Sequence, residues 1–211
     1  MGNNYDFVNE LKIDDNLSIF VPNDNNSNSD KKTGDAVKNY IKDAFKGVED
    51  NYYNNPKLSL YCCRKLLEAS LRILAKKESI EDDVITDENG KPTPCTLYHL
   101  CTPSNYIGVD IQKKITNLFK KANSRFDVKT ICYKYDGGKL KETKRIDNSD
   151  ILKQFKDFGI FSQIRQLGNN DAHLTAKIEG KDVKIDDNDA LNFISNIYPK
   201  LYSGLFGICR K

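Results

Sequence analysis

The stretch Asn54–Leu74, NNPKLSLYCCRKLLEASLRIL, decides the fold. Asn55 can accept from the free backbone N–H groups that open a helix. Pro56 follows at the first helical position, where its missing N–H costs nothing. Leu60, Cys63, Leu67, Ser70, Leu71 and Leu74 then recur at helical spacing and line one face. Arg64 and Glu68 stand four apart, the separation at which opposite charges on a helix meet. A helix marked this strongly needs other helices to cover it, and the chain supplies them on both sides.

Upstream, Ala36, Val37, Tyr40, Ile41, Ala44, Phe45 and Val48 predict a helix with Asp35 as its cap, broken at 51–55. Downstream, Ile151, Leu152, Phe155, Phe158, Phe161, Ile164 and Leu167 continue the helical period, with Gly159 as a dividing point. A last helix begins near Asp187 or Asp189 and presents Ala190, Leu191, Ile194, Ile197, Tyr198, Leu201 and Leu205. Two shorter helices are expected at 97–102, capped by Thr96, and at about 108–122.

The period changes twice. Ile131, Tyr133 and Tyr135 alternate with polar residues ahead of Asp136-Gly137-Gly138, which predicts a basic β-hairpin at about 126–146. LTAKIEGKDVKI predicts a second small hairpin at about 174–185, turning at Glu179-Gly180. Residues 81–94 are acidic and rich in breakers, and read as a loop with a tight turn at Asn89-Gly90. Residues 1–33 read as an N-terminal extension. It holds short apolar pieces (one a strand ending at Pro22) and a mobile polar loop over 23–33. The expected fold is therefore mainly α: an antiparallel helical bundle over 34–211 with one or two small β-hairpin insertions.

Composition bounds the function. In 211 residues, 38% are hydrophobic and 30% charged, and no apolar run is long enough to span a bilayer. The N-terminus lacks the basic start and apolar core of a signal peptide. A cytoplasmic protein with no membrane partner is expected. The six cysteines form no C-x-x-C pair and have no histidine at zinc-finger spacing, so they read as buried free thiols. No metal site and no cofactor are expected. The net charge of +3 hides an asymmetry: residues 112–156 hold 13 Lys/Arg against 5 Asp/Glu. Such a block suits a phosphate backbone or an acidic partner.

The chemistry concentrates in Gln163–His173, QIRQLGNNDAH. On one continuous helix Arg165, Asn169 and His173 would form a ladder four residues apart. Gly168 followed by Asn-Asn-Asp would equally end the helix, with the glycine in a left-handed cap. Arginine offers a fixed fork of donors to a phosphoryl oxygen, histidine moves protons near neutrality, and asparagine orients either. Together they could cleave RNA without a metal: a base activates the ribose 2′-OH, an acid protonates the leaving 5′-oxygen, and arginine stabilises the charged transition state. One such histidine per chain is thin for both proton transfers, which favours a symmetric homodimer.

The stretch IRQLGNNDAH resembles the R-x-x-G-N-x-x-x-H signature of a HEPN-related helical domain found alone in bacteria and in type I restriction subunits. The helix with Pro56, Arg64 and Glu68 resembles that family's helix, in which Pro, Arg and Glu follow in the same order and the last two read R-x-x-(apolar)-E. The resemblance spans about 35–205 without the hairpins. It implies a HEPN-type bundle, commonly dimeric, and for many members metal-independent ribonuclease activity in toxin–antitoxin, abortive-infection or CRISPR systems. Those nucleases separate Arg and His by four to six residues; here seven separate Arg165 from His173, which moves attention to Asn169 with His173.

The expected assignment follows. Arg165, Asn169 and His173 are catalytic, with Arg64 and Glu68 supporting them. Lys129, Lys134, Lys139, Lys141, Lys144 and Arg145 hold a nucleic-acid backbone while Tyr133 or Tyr135 stacks on bases. Two other readings stand beside it. In one, the chain is a non-catalytic module that dimerises or docks on a restriction, defence-system or antitoxin partner, and the polar set only fixes helix packing. In the other, the basic block alone binds nucleic acid without regard to sequence.

Overall fold

A computed structural model describes residues 5–22, 29–80, 84–86, 89–101, 117, 132–136, 139–144, 160–168, 176–178, 181–183 and 185–209. Helix α2 (Pro56–Lys77) is the axis of the molecule: 16 of its 22 residues are buried. Its opening follows from its sequence. The Asn55 side chain accepts from the Leu58 N–H at 3.2 Å, and Pro56 occupies the first turn. Leu60, Leu66, Leu67, Leu71 and Ile73 are all fully enclosed.

Among the described residues, three helices cover α2: α1 (Gly34–Asn51), α4 (Ile160–Gly168) and α5 (Asp187–Cys209). Only residues 52–55 join α1 to α2, which makes the two antiparallel neighbours. They approach closely at Gly47, where a Cβ would meet the Cys62 sulfur. Val37, Ile41, Phe45 and Val48 face inward from α1, Phe161, Ile164 and Leu167 from α4, and Phe193, Ile194, Ile197 and Leu201 from α5. Asp186 caps α5, its Oδ1 accepting from the Asp189 N–H at 2.8 Å. The helix runs through Pro199, whose missing N–H frees a carbonyl on the exposed side. At its far end the Ile208 carbonyl accepts from Lys77 Nζ at 2.6 Å and the Cys209 carbonyl from the Lys12 N–H at 3.0 Å. The ends of α2, α5 and the N-terminal segment are thereby tied together.

Among the described residues, four two-stranded antiparallel sheets accompany this helical core, more than the one or two expected. Strands β5 (Cys132–Asp136) and β6 (Lys139–Lys144) form the basic hairpin, and β7 (Ala176–Ile178) and β8 (Lys181–Val183) the second small one. The other two correct the sequence reading. Ser29–Thr33 is not part of a polar loop but strand β2, which returns against β1 (Ser18–Pro22). Val8, Leu11, Ile13, Ile19 and Val21 are at most 6% exposed and belong to the same core as the helices, so residue 33 is no packing boundary. The polar composition of β2 misled because backbone pairing to β1, not burial of its own side chains, holds it. The chain then turns directly into α1 at Gly34. Its φ is +46°, and a Cβ there would stand 3.0 Å from the Asp15 carbonyl oxygen. Asp35 sits in the first turn of α1, and Thr33 holds the cap position without a side-chain bond.

Residues 84–94, read as a loop, contain strands β3 (Val84–Thr86) and β4 (Pro92–Pro94) around the expected turn, where Gly90 has φ +78°. Prolines argue against a strand, but Pro92 and Pro94 lie two apart, so both missing donors fall on one edge and Thr93 keeps its own. Buried Ile85 anchors the hairpin. The expected helix at about 108–122, apart from Asn117, lies outside the described residues, as does the segment 151–159.

Candidate functional site

The candidate site is built where α2, α4 and the short helix α3 (Leu97–Cys101) meet. Arg64, Glu68 and Arg72 recur every four residues along one face of α2. Glu68 is 3% exposed and Arg72 only 1%. Arg72 donates from Nε and Nη2 to Glu68 Oε1 at 3.1 and 2.9 Å, and from Nη2 to the Cys95 carbonyl at 3.1 Å. Glu68 Oε2 points the other way, 3.7 Å from Arg64 Nη2, which is ion-pair rather than hydrogen-bond range. The pair expected between Arg64 and Glu68 is present, but it is the looser of two, and Arg72 is the tighter partner.

Arg165 reaches this cluster from α4. Its guanidinium carbon lies 5.1 Å from the centroid of the Tyr98 ring, a cation–π arrangement supplied by α3. Burial lowers the Arg165 pKa, and the neighbouring Arg64 lowers it further, while the Cys101 and Tyr98 groups act in the opposite direction. An arginine starts high enough to stay cationic regardless. The Cys101 thiol feels all four charges. Burial holds it well above its ordinary value, Arg165, Arg64 and Arg72 pull it down, and Glu68 pushes it up. It is fully enclosed and stays neutral, which suits a spacer between charges and not a nucleophile.

Gly168 explains how α4 comes so close. It is the last residue of the helix and does not adopt the left-handed conformation considered for it. A Cβ at this position would stand 2.6 Å from Arg64 Cβ and 3.1 Å from the Leu60 carbonyl oxygen. The glycine is therefore required by close approach of α4 to α2, and it presses on the side chain of Arg64 itself.

Arg64, Arg72 and Arg165 surround the Cys101 thiol together with Glu68, whose Oε1 is held by Arg72 while its Oε2 lies 3.7 Å from Arg64 and makes no hydrogen bond among the described residues. The Nε atoms of Arg64 and Arg165 are buried and make no hydrogen bond among the described residues. Such an arrangement attracts an anion.

Of the residues expected at the site, the structure brings Arg64, Glu68 and Arg165 together. Asn169 and His173 lie outside the described residues, as do Lys129 and Arg145. Lys134, Lys139, Lys141 and Lys144 with Tyr133 and Tyr135 occupy the β5–β6 hairpin. Two members were missed. Arg72 was legible, since it continues the four-residue spacing of Arg64 and Glu68; nothing local to Tyr98 announces that it will lie beside Arg165. Cys95, His99 and Cys101, close in sequence, do not gather round a common centre. Cys95 offers its carbonyl to Arg72, and His99 Nδ1 accepts from the Thr96 N–H at 3.0 Å. No family model matches the chain, and no curated protein or solved structure matches it.

Proposed function

We propose that this chain is a HEPN-like RNA-binding protein that acts as a metal-independent endoribonuclease, in phage defence or a toxin system. The observation that carries the reading is the pair of buried guanidiniums, Arg64 on α2 and Arg165 on α4, with hydrogen-bonding capacity to spare. Arg165 and Arg64 each keep a buried Nε without a hydrogen bond among the described residues, beside a carboxylate whose Oε1 is held by Arg72 and whose Oε2 pairs only loosely with Arg64. A phosphodiester supplies what this cluster lacks: negative charge with several acceptor oxygens. Arg165 would hold the scissile phosphate, with Arg64 beside it. Glu68, fixed by Arg72, would set the position of Arg64. His173 would move the proton and Asn169 would orient it, as the sequence signature implies. Purified protein is expected to cleave RNA in EDTA, and His173→Ala is expected to abolish cleavage while the fold is kept. Cleavage that survives this substitution overturns the assignment.

A second reading draws on a different observation. Glu68 and Arg72 are enclosed, and Gly168 is pressed against Arg64, as in a network whose task is to fix helix packing. The chain would then be a non-catalytic module that dimerises or docks on a defence or antitoxin partner. Loss of stability on mutating Arg165, with no nuclease activity to lose, would favour it.

A further inference from the structure

The β5–β6 hairpin has a register that sorts its residues by chemistry. Lys134 stands directly opposite Lys141, and Asp136 opposite Lys139. Tyr133 stands opposite Glu142 and Tyr135 opposite Leu140. Directly opposed residues share a face and alternate residues change face. One face therefore carries Lys134, Lys139, Lys141 and Asp136, and the other carries Tyr133, Tyr135, Leu140 and Glu142. The ladder shifts between Cys132 and Tyr133, so the assignment stops there and leaves Lys144 out. Neither strand ladders with any other described strand.

Two lysines placed directly opposite each other weaken a ladder. A two-stranded ribbon has little stability in reserve to absorb that. The pairing is accounted for if something outside the ribbon supplies the negative charge, and the setting favours a polyanion: the ribbon lies in the segment 112–156, with 13 Lys/Arg against 5 Asp/Glu. We infer that the Lys134–Lys139–Lys141 face of the β5–β6 ribbon grips the phosphodiester backbone of nucleic acid, and that the tyrosine face takes no part in this contact. That RNA is the natural strand rests on the function proposed above; the backbone contact itself does not. A groove contact is disfavoured for RNA, because the A-form major groove is too deep and narrow for side chains to read. Lysines and tyrosines of this hairpin, expected to act together on one strand, stand on opposite faces by this register.

The test uses the full chain and fluorescence anisotropy with a labelled oligo-uridine RNA and the matching oligo-thymidine DNA over a salt series. Three phosphate contacts correspond to a loss of about 2 in the slope of log affinity against log salt on single strands. The triple substitution Lys134→Gln, Lys139→Gln, Lys141→Gln is expected to remove that much on both probes. Tyr133→Ser with Tyr135→Ser is expected to leave the slope unchanged. Lys134→Glu alone separates binding from folding: it turns a repulsive cross-strand pair into an attractive one, so the ladder is kept while the slope falls. A slope unmoved by either lysine variant, or one lowered equally by the tyrosine pair, overturns the inference, as does absence of binding by the unmodified chain. Absence of cleavage with the lysine-dependent slope intact would instead count against the nuclease reading alone.

Discussion

Removing the Glu68 carboxylate is the sharpest perturbation of the cluster. Arg72 is 1% exposed, and two of its hydrogen bonds end on Glu68 Oε1. In Glu68→Ala the guanidinium keeps the Cys95 carbonyl but loses the carboxylate that takes two of its hydrogen bonds, with Arg64 and Arg165 grouped round the same Cys101 thiol. Breaking a buried pair by removing one partner costs about 3–5 kcal/mol, because the remaining charge is stranded where water cannot reach it. The whole stability of a domain is only about 5–15 kcal/mol, so the substitution should shift a urea midpoint strongly with the slope unchanged. Glu68→Met combined with Arg72→Met removes both charges and keeps two good helix formers. It should restore most of the loss, since a buried pair replaced by apolar groups is often near neutral. A cost below about 1 kcal/mol for Glu68→Ala would refute the reasoning, because that is the range of a solvated surface pair. Failure of the double variant to recover would show that Glu68 holds more than Arg72.

Gly168→Ala should destabilise by about 1–3 kcal/mol from overpacking on Arg64 and Leu60, less the roughly 1 kcal/mol that alanine gains in a helix. A net gain in urea stability would mean that α4 stands off from α2. Asn55→Ala should cost about 1 kcal/mol by removing the cap on α2, read from the same unfolding curves. His99 predicts a pH dependence. Burial lowers its pKa from 6.5, and its Nδ1 must be unprotonated to accept from the Thr96 N–H. The unfolded state then binds the proton more readily, so the contribution of His99 is complete above about 6.5 and is lost as pH falls through the lower folded value. The stability gap between the unmodified chain and His99→Gln should narrow on acidification; a gap that widens would place the proton on the folded state.

Much of the fold was legible because helical periodicity is a local signal. The Asn55-Pro56 opening, the apolar face of α2 and the inward faces of α1, α4 and α5 could all be read from spacing. So could the turn at Asn89-Gly90. The misses share a cause. Strand β2 is polar and β4 carries two prolines, and each is held by pairing with a partner strand that no residue of its own announces.

The site divides in the same way. Sequence alone put Arg64 and Glu68 on one helix four apart and marked Arg165 as chemically capable, because those statements need only the helical repeat. That Glu68 would be claimed by Arg72, that Tyr98 would lie beside Arg165, and that Gly168 would be a close-approach glycine and not a left-handed cap were decided by tertiary structure. Each depends on which helices touch and how nearly. That follows from the burial of whole faces rather than from any single residue along the chain.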